Sequence, residues 1–207
     1  MFFFFFNFEE NSDKMPSKKA NKGEWSEVYT IFRLLGDGKL YLGDEHTNKL
    51  AERYFPIIEI IREELIGKCK NDYRYELKRE EHDINKEVCM VEIFENGIKL
   101  LEMSPKDFVD AADSLLEEIR SGKGRSFATS VRNEQFMETV HCRNIKRDSK
   151  HKSDLMLGLY DIKSCIEHRL GMSVKSFIGS APTLLNASDA TLVTYVIDGV
   201  NLQDDDI

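Results

Sequence analysis

The sequence feature that most constrains the fold is an alternation of apolar and other residues from Asp154 to Tyr160. One side of this period-two pattern carries three leucines: Leu155, Leu157 and Leu159. Such a pattern predicts a β-strand with one buried face, and Asp154 stands at its start. The segment from Met172 to Phe177 is also strand-like. The polar stretch from Asp161 to Leu170 is short enough to join the two strands as antiparallel neighbours.

Polar side chains converge where these two predicted strands meet. On a strand, Ser173 and Lys175 share one face while Val174 packs behind them. A carboxylate, a hydroxyl and a lysine ammonium therefore come together from Asp154, Ser173 and Lys175. We interpret this combination as a metal-dependent nuclease site.

Three blocks of sequence carry a resemblance to a known family. The order of Asp154 and Ser173-x-Lys175 is similar to the Asp…(Asp/Glu/Ser)-x-Lys core of restriction-endonuclease-like nucleases. Residues 22–27 (KGEWSE) and 182–188 (PTLLNAS), taken with residues 173–176 (SVKS), resemble the HpaII type of type II restriction endonuclease. The resemblance runs from about Lys22 to the end of the chain. Three collinear blocks are far more specific than the Asp…Ser-x-Lys spacing alone.

The resemblance implies a Mg²⁺-dependent active site with assigned roles. Asp154 is then the main metal ligand, and the backbone carbonyl of Val174 is a second ligand. Lys175 orients or helps to deprotonate the attacking water and holds the scissile phosphate. Ser173 departs from the acidic residue that is commoner at its position. Because a hydroxyl is a poor Mg²⁺ ligand, the site is one carboxylate short.

A second carboxylate has several candidates in the sequence. In nucleases of this fold the first helix often lends one, which points to Glu27 or Glu24, and we assign Glu27. An exposed acidic face near a helix N-terminus explains both glutamates equally well. Asp161 lies at the far end of the first strand and suits a turn cap, whereas Asp189 follows a predicted short helix.

Charge is distributed unevenly along a chain whose formal net charge is −8. Residues 141–180 hold eight Lys or Arg against four Asp or Glu, whereas residues 181–207 hold five aspartates and no Lys or Arg. The basic segment coincides with the predicted site, and positive potential favours a phosphate backbone. We therefore predict contacts to DNA from the basic residues Arg143, Lys146, Arg147, Lys150 and Lys152. Asn186 and Ser188, beside the predicted short helix, are further candidates for contacts to a phosphate or a base, although an asparagine near a helix end is more often a cap.

The sequence predicts an α/β fold of restriction-endonuclease type, with a mixed central sheet flanked by helices and an accessory antiparallel hairpin region. We expect a disordered tail over residues 1–21 and a nuclease domain over 22–207. Within that domain, accessory strands occupy about 39–103 and the catalytic core about 126–198. The phenylalanine run near the N-terminus is too short to span a membrane and lacks the flanks of a signal peptide, and we expect Met15 to be the true start.

Individual helices and strands are predicted from periodicity and from capping residues. A helix covers Gly23 to Leu35, with Gly36 placed to stop it, and Pro56 argues against a continuous central strand nearby. A second helix begins at Ser104-Pro105 and ends near Gly122, and a third covers Ser126 to Val140. Periodicity predicts the buried stripe of the second helix: Phe108, Ala111, Ala112, Leu115 and Ile119. Glu95-Asn96-Gly97 is a hairpin turn between two predicted strands, Val88 to Phe94 and Ile98 to Met103. A short helix and a last strand follow the predicted site, at about Thr183 to Ala187 and Leu192 to Ile197.

The resemblance implies a type II site-specific deoxyribonuclease. It would cut double-stranded DNA at a short palindrome such as CCGG, leave 5′-phosphates, act as a homodimer, and have a cognate methyltransferase as partner. Four scattered cysteines without framework spacing indicate reduced thiols in the cytoplasm. An alternative is a truncated, catalytically inactive remnant or a DNA-binding module of the same fold, which needs positive charge but no metal ligands.

Overall fold

The computed structural model describes residues 18–67, 69–145 and 154–178, which form three α-helices and nine β-strands. The helices are α1 (Lys22–Asp37), α2 (Pro105–Ser121) and α3 (Val131–Thr139). The strands are β1 (Lys19–Ala20), β2 (Lys39–Gly43), β3 (Lys49–Ile66), β4 (Cys69–Arg79), β5 (Val88–Glu95), β6 (Ile98–Met103), β7 (Phe127–Ala128), β8 (Leu155–Asp161) and β9 (Ile166–Met172). None of these three helices is both long and apolar enough to cross a bilayer.

Seven strands form one sheet in the order β6-β5-β4-β3-β8-β9, and β2 also pairs with β3. Each pairing between described strands is antiparallel. The predicted α/β fold of restriction-endonuclease type, with a central sheet flanked by helices, is confirmed. The strands predicted as accessory are hydrogen-bonded through β3 to β8, so the sheet runs without a break into the β8-β9 hairpin. The segments at Thr183 to Ala187 and Leu192 to Ile197 lie outside the described residues.

The longest strand, β3, contradicts the interpretation of Pro56 as an interruption. Pro56 lies inside the 18-residue strand, opposite Lys39 of β2. The first β4 pair, Glu59↔Glu76, comes three residues later. A proline lacks only the backbone N–H, so it is tolerated where a strand changes partners and that donor is not needed. The strand therefore continues past Pro56 and carries the sheet toward β8.

The first helix ends two residues later than its sequence predicts. Gly38, in the left-handed conformation with φ 64°, is the C-cap, and its N–H donates to the Leu34 carbonyl at 2.9 Å. Gly36 remains inside the helix. A Cβ at Gly36 would lie 2.5 Å from Cγ2 of Val109 on α2. The prediction that Gly36 stops the helix was wrong because this glycine serves the close approach of two helices.

The core lies between the helices and one face of the sheet. From α2 it contains the stripe that periodicity predicted, namely Phe108, Ala111, Ala112, Leu115 and Ile119. Ser104 caps this helix by accepting the Lys106 N–H, and Pro105 is its first residue, as predicted. The third helix begins later than Ser126, because Ser130 caps it and accepts the Asn133 N–H at 3.4 Å.

Candidate active site at the end of the β8-β9 hairpin

The β8-β9 hairpin brings Asp154 and the Ser173-x-Lys175 motif together, as the sequence predicts. The two strands are antiparallel neighbours, and their last described pair is Leu155↔Met172. Asp154 therefore directly precedes β8, and Ser173 directly follows β9, at the same end of the hairpin. The Asp154 N–H donates to the Met172 carbonyl at 2.9 Å. The three leucines of β8 are buried, with exposed fractions of 1–3%, which confirms the predicted buried face.

The strand prediction for Met172 to Phe177 was wrong, because β9 covers Ile166–Met172 and residues 173–177 have no strand partner. The Asp154 carboxylate supplies the physical reason. Its Oδ2 accepts the Val174 N–H at 2.7 Å. This backbone N–H therefore donates to a side chain, whereas in a β-sheet it would donate to the backbone carbonyl of a neighbouring strand. Ser173 and Lys175 are nevertheless exposed while Val174 packs on the core, as the predicted alternation requires. We call Asp154, Ser173, Val174 and Lys175 the hairpin site.

The first helix contacts the hairpin site through two hydroxyl groups. The Oγ atoms of Ser26 on α1 and Ser176 are 2.9 Å apart, and Ser26 is only 4% exposed. Glu27 follows Ser26 and is half-buried; its charge adds a smaller effect to those of Cys142, Glu64 and Tyr75, which raise the pKa of Arg62 on β3 against the effect of burial. Arg62 is one residue beyond the pair Ile61↔Met156, beside the strand that Asp154 begins. The Ser26–Ser176 contact therefore packs the N-terminal half of α1 against the segment that follows Lys175.

Glu24 and Asp161 serve other roles. Glu24 forms a capping box with Asn21, in which its Oε2 accepts the Asn21 N–H at 2.8 Å and its own N–H donates to Asn21 Oδ1 at 2.9 Å. Asp161 lies at the opposite end of β8 and accepts the Lys163 N–H at 2.9 Å and the Ser164 hydroxyl at 2.8 Å. It is the turn cap, and the length of β8 separates it from Asp154 by roughly 20 Å.

A buried Arg62–Glu64 pair on β3 went unrecognised in the sequence. The Arg62 Nε lies 3.2 Å from Glu64 Oε1, and the residues are 3% and 1% exposed. Glu64 accepts the backbone N–H groups of Arg143 at 3.1 Å and Asn144 at 3.2 Å, and Arg62 donates to the Asn144 carbonyl. The pair therefore binds the start of the basic segment to the sheet. An arginine and a glutamate two apart among the apolar residues of a strand were the available signal.

Burial and charge oppose each other at this pair. Burial raises the pKa of the Glu64 carboxyl, although Arg62 and two backbone donors act against the shift. For Arg62, burial favours the neutral form, but the charges around it outweigh that effect and its pKa is raised. The Cys142 thiol, 3.4 Å from Arg62 Nη1, is fully buried, which raises its pKa to about 11. The Arg62 guanidinium therefore carries the positive charge around which the Glu64 carboxylate, the Cys142 thiol and the Asn144 carbonyl are arranged.

Most of the residues predicted to contact DNA lie outside the described part of the chain: Lys146, Arg147, Lys150, Lys152, Asn186 and Ser188. Asp189, a candidate carboxylate, lies outside it too. Arg143 is described, and its side chain is half-buried and ion-paired with Glu138 at 2.8 Å. A role for Arg143 at DNA remains a prediction.

The donor atoms at the hairpin site fit a hard divalent cation. In residues 18–67, 69–145 and 154–178, no group of three or more His, Cys, Asp or Glu is arranged to hold a metal ion. Mg²⁺ does not require such a group, because it takes one or two carboxylates and keeps several waters. The residues predicted as ligands, namely Asp154, the Val174 carbonyl and Glu27 of the neighbouring helix, would supply oxygen donors only, which is the chemistry that Mg²⁺ prefers over zinc or copper.

Comparison with known proteins identifies the family. The family model of the HpaII restriction endonuclease matches residues 21–207. The type II restriction enzyme HpaII of Haemophilus parainfluenzae is 36% identical over 188 residues, which cover 91% of this chain and 48% of that enzyme. The chain thus spans about half the length of this relative. No solved structure matches the chain significantly. With the fold and the order of the three sequence blocks in agreement, the chain belongs to the HpaII restriction endonuclease family.

Proposed function

We propose that this chain is a type II restriction endonuclease that hydrolyses phosphodiesters of double-stranded DNA. The observation that carries the proposal is the hydrogen bond from Val174 N–H to Asp154, which holds a carboxylate beside the exposed Lys175. By family resemblance the target is a short palindrome such as CCGG, cut to leave 5′-phosphates. The enzyme works in the cytoplasm, where a cognate methyltransferase modifies the same sequence in host DNA.

Each residue of the hairpin site has a separate part in this reaction. Asp154 and the Val174 carbonyl would hold Mg²⁺, which when bound supplies positive charge to the phosphoryl oxygens and lowers the pKa of a coordinated water. Lys175 holds the scissile phosphate and orients the attacking water, because its ammonium is a compact point charge with three donors. Ser173 is exposed beside them and donates a hydrogen bond to the phosphate.

Glu27 is the second carboxylate in this proposal. Glu24 is held in a capping box, and Asp161 is bonded in a turn at the far end of β8. Glu27 lies next to Ser26, which contacts the residue after Lys175. A carboxylate from α1 would make up for the hydroxyl that stands at Ser173 and would give Mg²⁺ a second anionic ligand.

The duplex lies along the basic segment from Arg143 to Lys152, and Asn186 and Ser188 add contacts to phosphate or bases. Positive potential there offsets the chain's acidic balance and steers DNA toward the hairpin site. A palindrome presents two equivalent scissile bonds. We therefore propose a homodimer whose two-fold axis coincides with that of the DNA.

The direct test is cleavage of plasmid DNA with and without CCGG, in Mg²⁺ or EDTA. Discrete Mg²⁺-dependent fragments from the CCGG plasmid, lost in Asp154→Ala and in Lys175→Ala, would support the proposal. Asp161→Ala and Lys163→Ala are matched controls, because they remove a carboxylate and an ammonium from the opposite end of the same hairpin. Intact DNA after incubation with a folded wild-type chain would overturn the proposed endonuclease activity. Retained DNA binding in that case would favour the binding module of the same fold.

A further inference from the structure

We propose that Ser26 and Ser176 are positioning residues that set the place of Lys175 relative to Glu27; this rests on the nuclease function proposed above. Lys175 follows the last strand of the hairpin, and residues 173–177 have no ladder partner among the described strands. The segment is instead held by single hydrogen bonds on each side of Lys175. The Val174 N–H binds Asp154 at 2.7 Å, and the Ser176 hydroxyl binds Ser26 at 2.9 Å.

The direction of the hydroxyl contacts follows from the count of protons. The Ser26 Oγ lies 2.7 Å from the Lys22 carbonyl, which can only accept, so the hydroxyl proton of Ser26 points there. Ser26 must then accept from Ser176. The Ser176 Oγ in turn accepts the Ile178 N–H at 3.2 Å. A directed chain therefore runs from Ile178 through the two serines to the backbone of α1.

Burial makes this chain of hydrogen bonds specific. Ser26 is 4% exposed and lies between Trp25 and Val28, which are fully buried. Because burial shields the Ser26 hydroxyl from bulk solvent, Ser176 is the partner that satisfies its second bond. The residue before Ser176 is Lys175 and the residue after Ser26 is Glu27. Each serine thus connects the backbone positions that carry the two functional side chains.

The expected signature separates positioning from stability. A misplacement of about 1 Å at a reacting group can reduce a rate about 10²-fold, although loss of one neutral hydrogen bond changes stability little. Loss of either hydroxyl should therefore lower the single-turnover cleavage rate about 10- to 100-fold. DNA affinity should change less than about threefold, because neither serine is itself assigned to bind DNA.

The test is a double-mutant cycle of Ser26→Ala and Ser176→Ala, measured by single-turnover cleavage of a CCGG duplex and by binding of that duplex. We expect the double variant to be no slower than either single variant, because both remove the same contact. Ser176→Thr keeps the hydroxyl and should restore most of the rate. Ser121→Ala is the matched control, since this serine also bonds a carbonyl of its own helix, Glu117, at 2.9 Å.

Independent losses that multiply in the double variant, or single variants as fast as wild type, would overturn the proposal. Hydrogen exchange at the Val174 amide provides a readout that does not require cleavage, and should become faster in Ser26→Ala but not in Ser121→Ala. Unchanged exchange would show that the serines do not hold the segment. If the wild-type chain leaves DNA intact but Ser26→Ala still has faster exchange at the Val174 amide, the nuclease function is contradicted. The role of the two serines in holding the segment is then supported.

Discussion

The Asp154 carboxylate accepts the backbone N–H of Val174 at 2.7 Å, which fixes the Ser173–Val174 peptide directly before Lys175. The residue proposed to bind metal therefore also organises the segment that carries Lys175, the lysine proposed to be catalytic. Both tasks use carboxylate oxygens, but only one requires the negative charge. An uncharged amide can still accept the Val174 N–H.

Substitution of Asp154 separates these two tasks. In Asp154→Asn the hydrogen bond can persist while the charge is lost, so we expect cleavage to fall at least about 10²-fold with little change in the melting temperature. In Asp154→Ala the Val174 N–H loses its acceptor as well, and stability should fall by about 1 kcal/mol. Single-turnover cleavage and thermal unfolding measure the two effects. An Asn variant that cleaves within about tenfold of wild type would contradict the assigned role.

Glu27 and Glu24 offer a matched pair of carboxylates on one helix. If Glu27 is a second ligand, Glu27→Gln should raise the Mg²⁺ concentration needed for half-maximal cleavage by about 10-fold or more. Glu24→Gln should leave that concentration unchanged, because glutamine also serves in a capping box. Cleavage measured across a Mg²⁺ titration distinguishes them. Equal titration curves for Glu27→Gln and wild type would remove Glu27 from the metal site.

Local sequence patterns predicted the parts of the fold that depend on neighbouring residues. The Asn96-Gly97 turn has positive φ at both residues, 49° and 84°, and joins β5 to β6 where the sequence indicates. The cap at Ser104 and the buried stripe of α2 are confirmed for the same reason. Each is set by residues a few positions apart, so its energetics can be interpreted without knowledge of distant contacts.

Features that depend on distant partners could not be obtained from the sequence. Gly36 resembles a helix stop in the sequence, but Val109 of α2 packs against it. Pro56 resembles a strand break, but β2 begins opposite it and the strand continues. The sequence predicted that Asp154 and Lys175 lie at the same end of the hairpin, as they do. It also predicted a strand through residues 173–177, where a hydrogen bond to the Asp154 side chain holds the segment instead. The clamp from Arg62 and Glu64 to Asn144 spans about 80 positions, and no local periodicity encodes it.

That clamp makes a stability prediction. Glu64→Gln leaves the buried guanidinium of Arg62 without its ion-pair partner, and breaking a buried ion pair typically destabilises a protein by about 3–5 kcal/mol. Urea unfolding should show this loss. Glu63→Gln is the control, because it removes a partly exposed carboxylate from the adjacent position of β3 and should change stability by less than about 1 kcal/mol. Equal losses in the two variants would contradict the role of the clamp.

His141 predicts a dependence of stability on pH. Its ring stacks on Tyr73 with centroids 5.3 Å apart, and burial, followed by the charge of Arg143, lowers its pKa despite Glu95 and Glu138 nearby. The unfolded chain then takes up a proton near pH 6.5 that the folded chain does not. The contribution of His141 to stability is therefore present above pH 6.5 and lost as pH falls below it.

Replacing His141 should weaken the dependence of stability on pH. The residue has φ 55°, a left-handed conformation that asparagine tolerates. His141→Asn should lower stability at both pH 7.5 and pH 5.5, because the ring stacking is lost, but the difference between the two values should shrink. His82→Asn is the control, since His82 is exposed and has φ 58°. Urea unfolding at the two pH values measures the difference, and an unchanged difference in His141→Asn would contradict the assignment.

The contact between Gly36 and Val109 predicts that Gly36→Ala lowers the stability of the protein, whereas helix propensity alone predicts that it raises the stability. Alanine is favoured over glycine inside a helix by about 1 kcal/mol. A Cβ at position 36, however, would meet Val109 Cγ2 at 2.5 Å and the Pro105 carbonyl oxygen at 3.2 Å. We expect Gly36→Ala to destabilise the protein by about 1–3 kcal/mol, because α1 and α2 must move apart. In a Val109→Ala background the closest atom is gone, so the same substitution should be less destabilising than in the wild-type chain. Urea unfolding of the four proteins in this cycle measures the coupling, and additive effects would show that the helices adjust without strain.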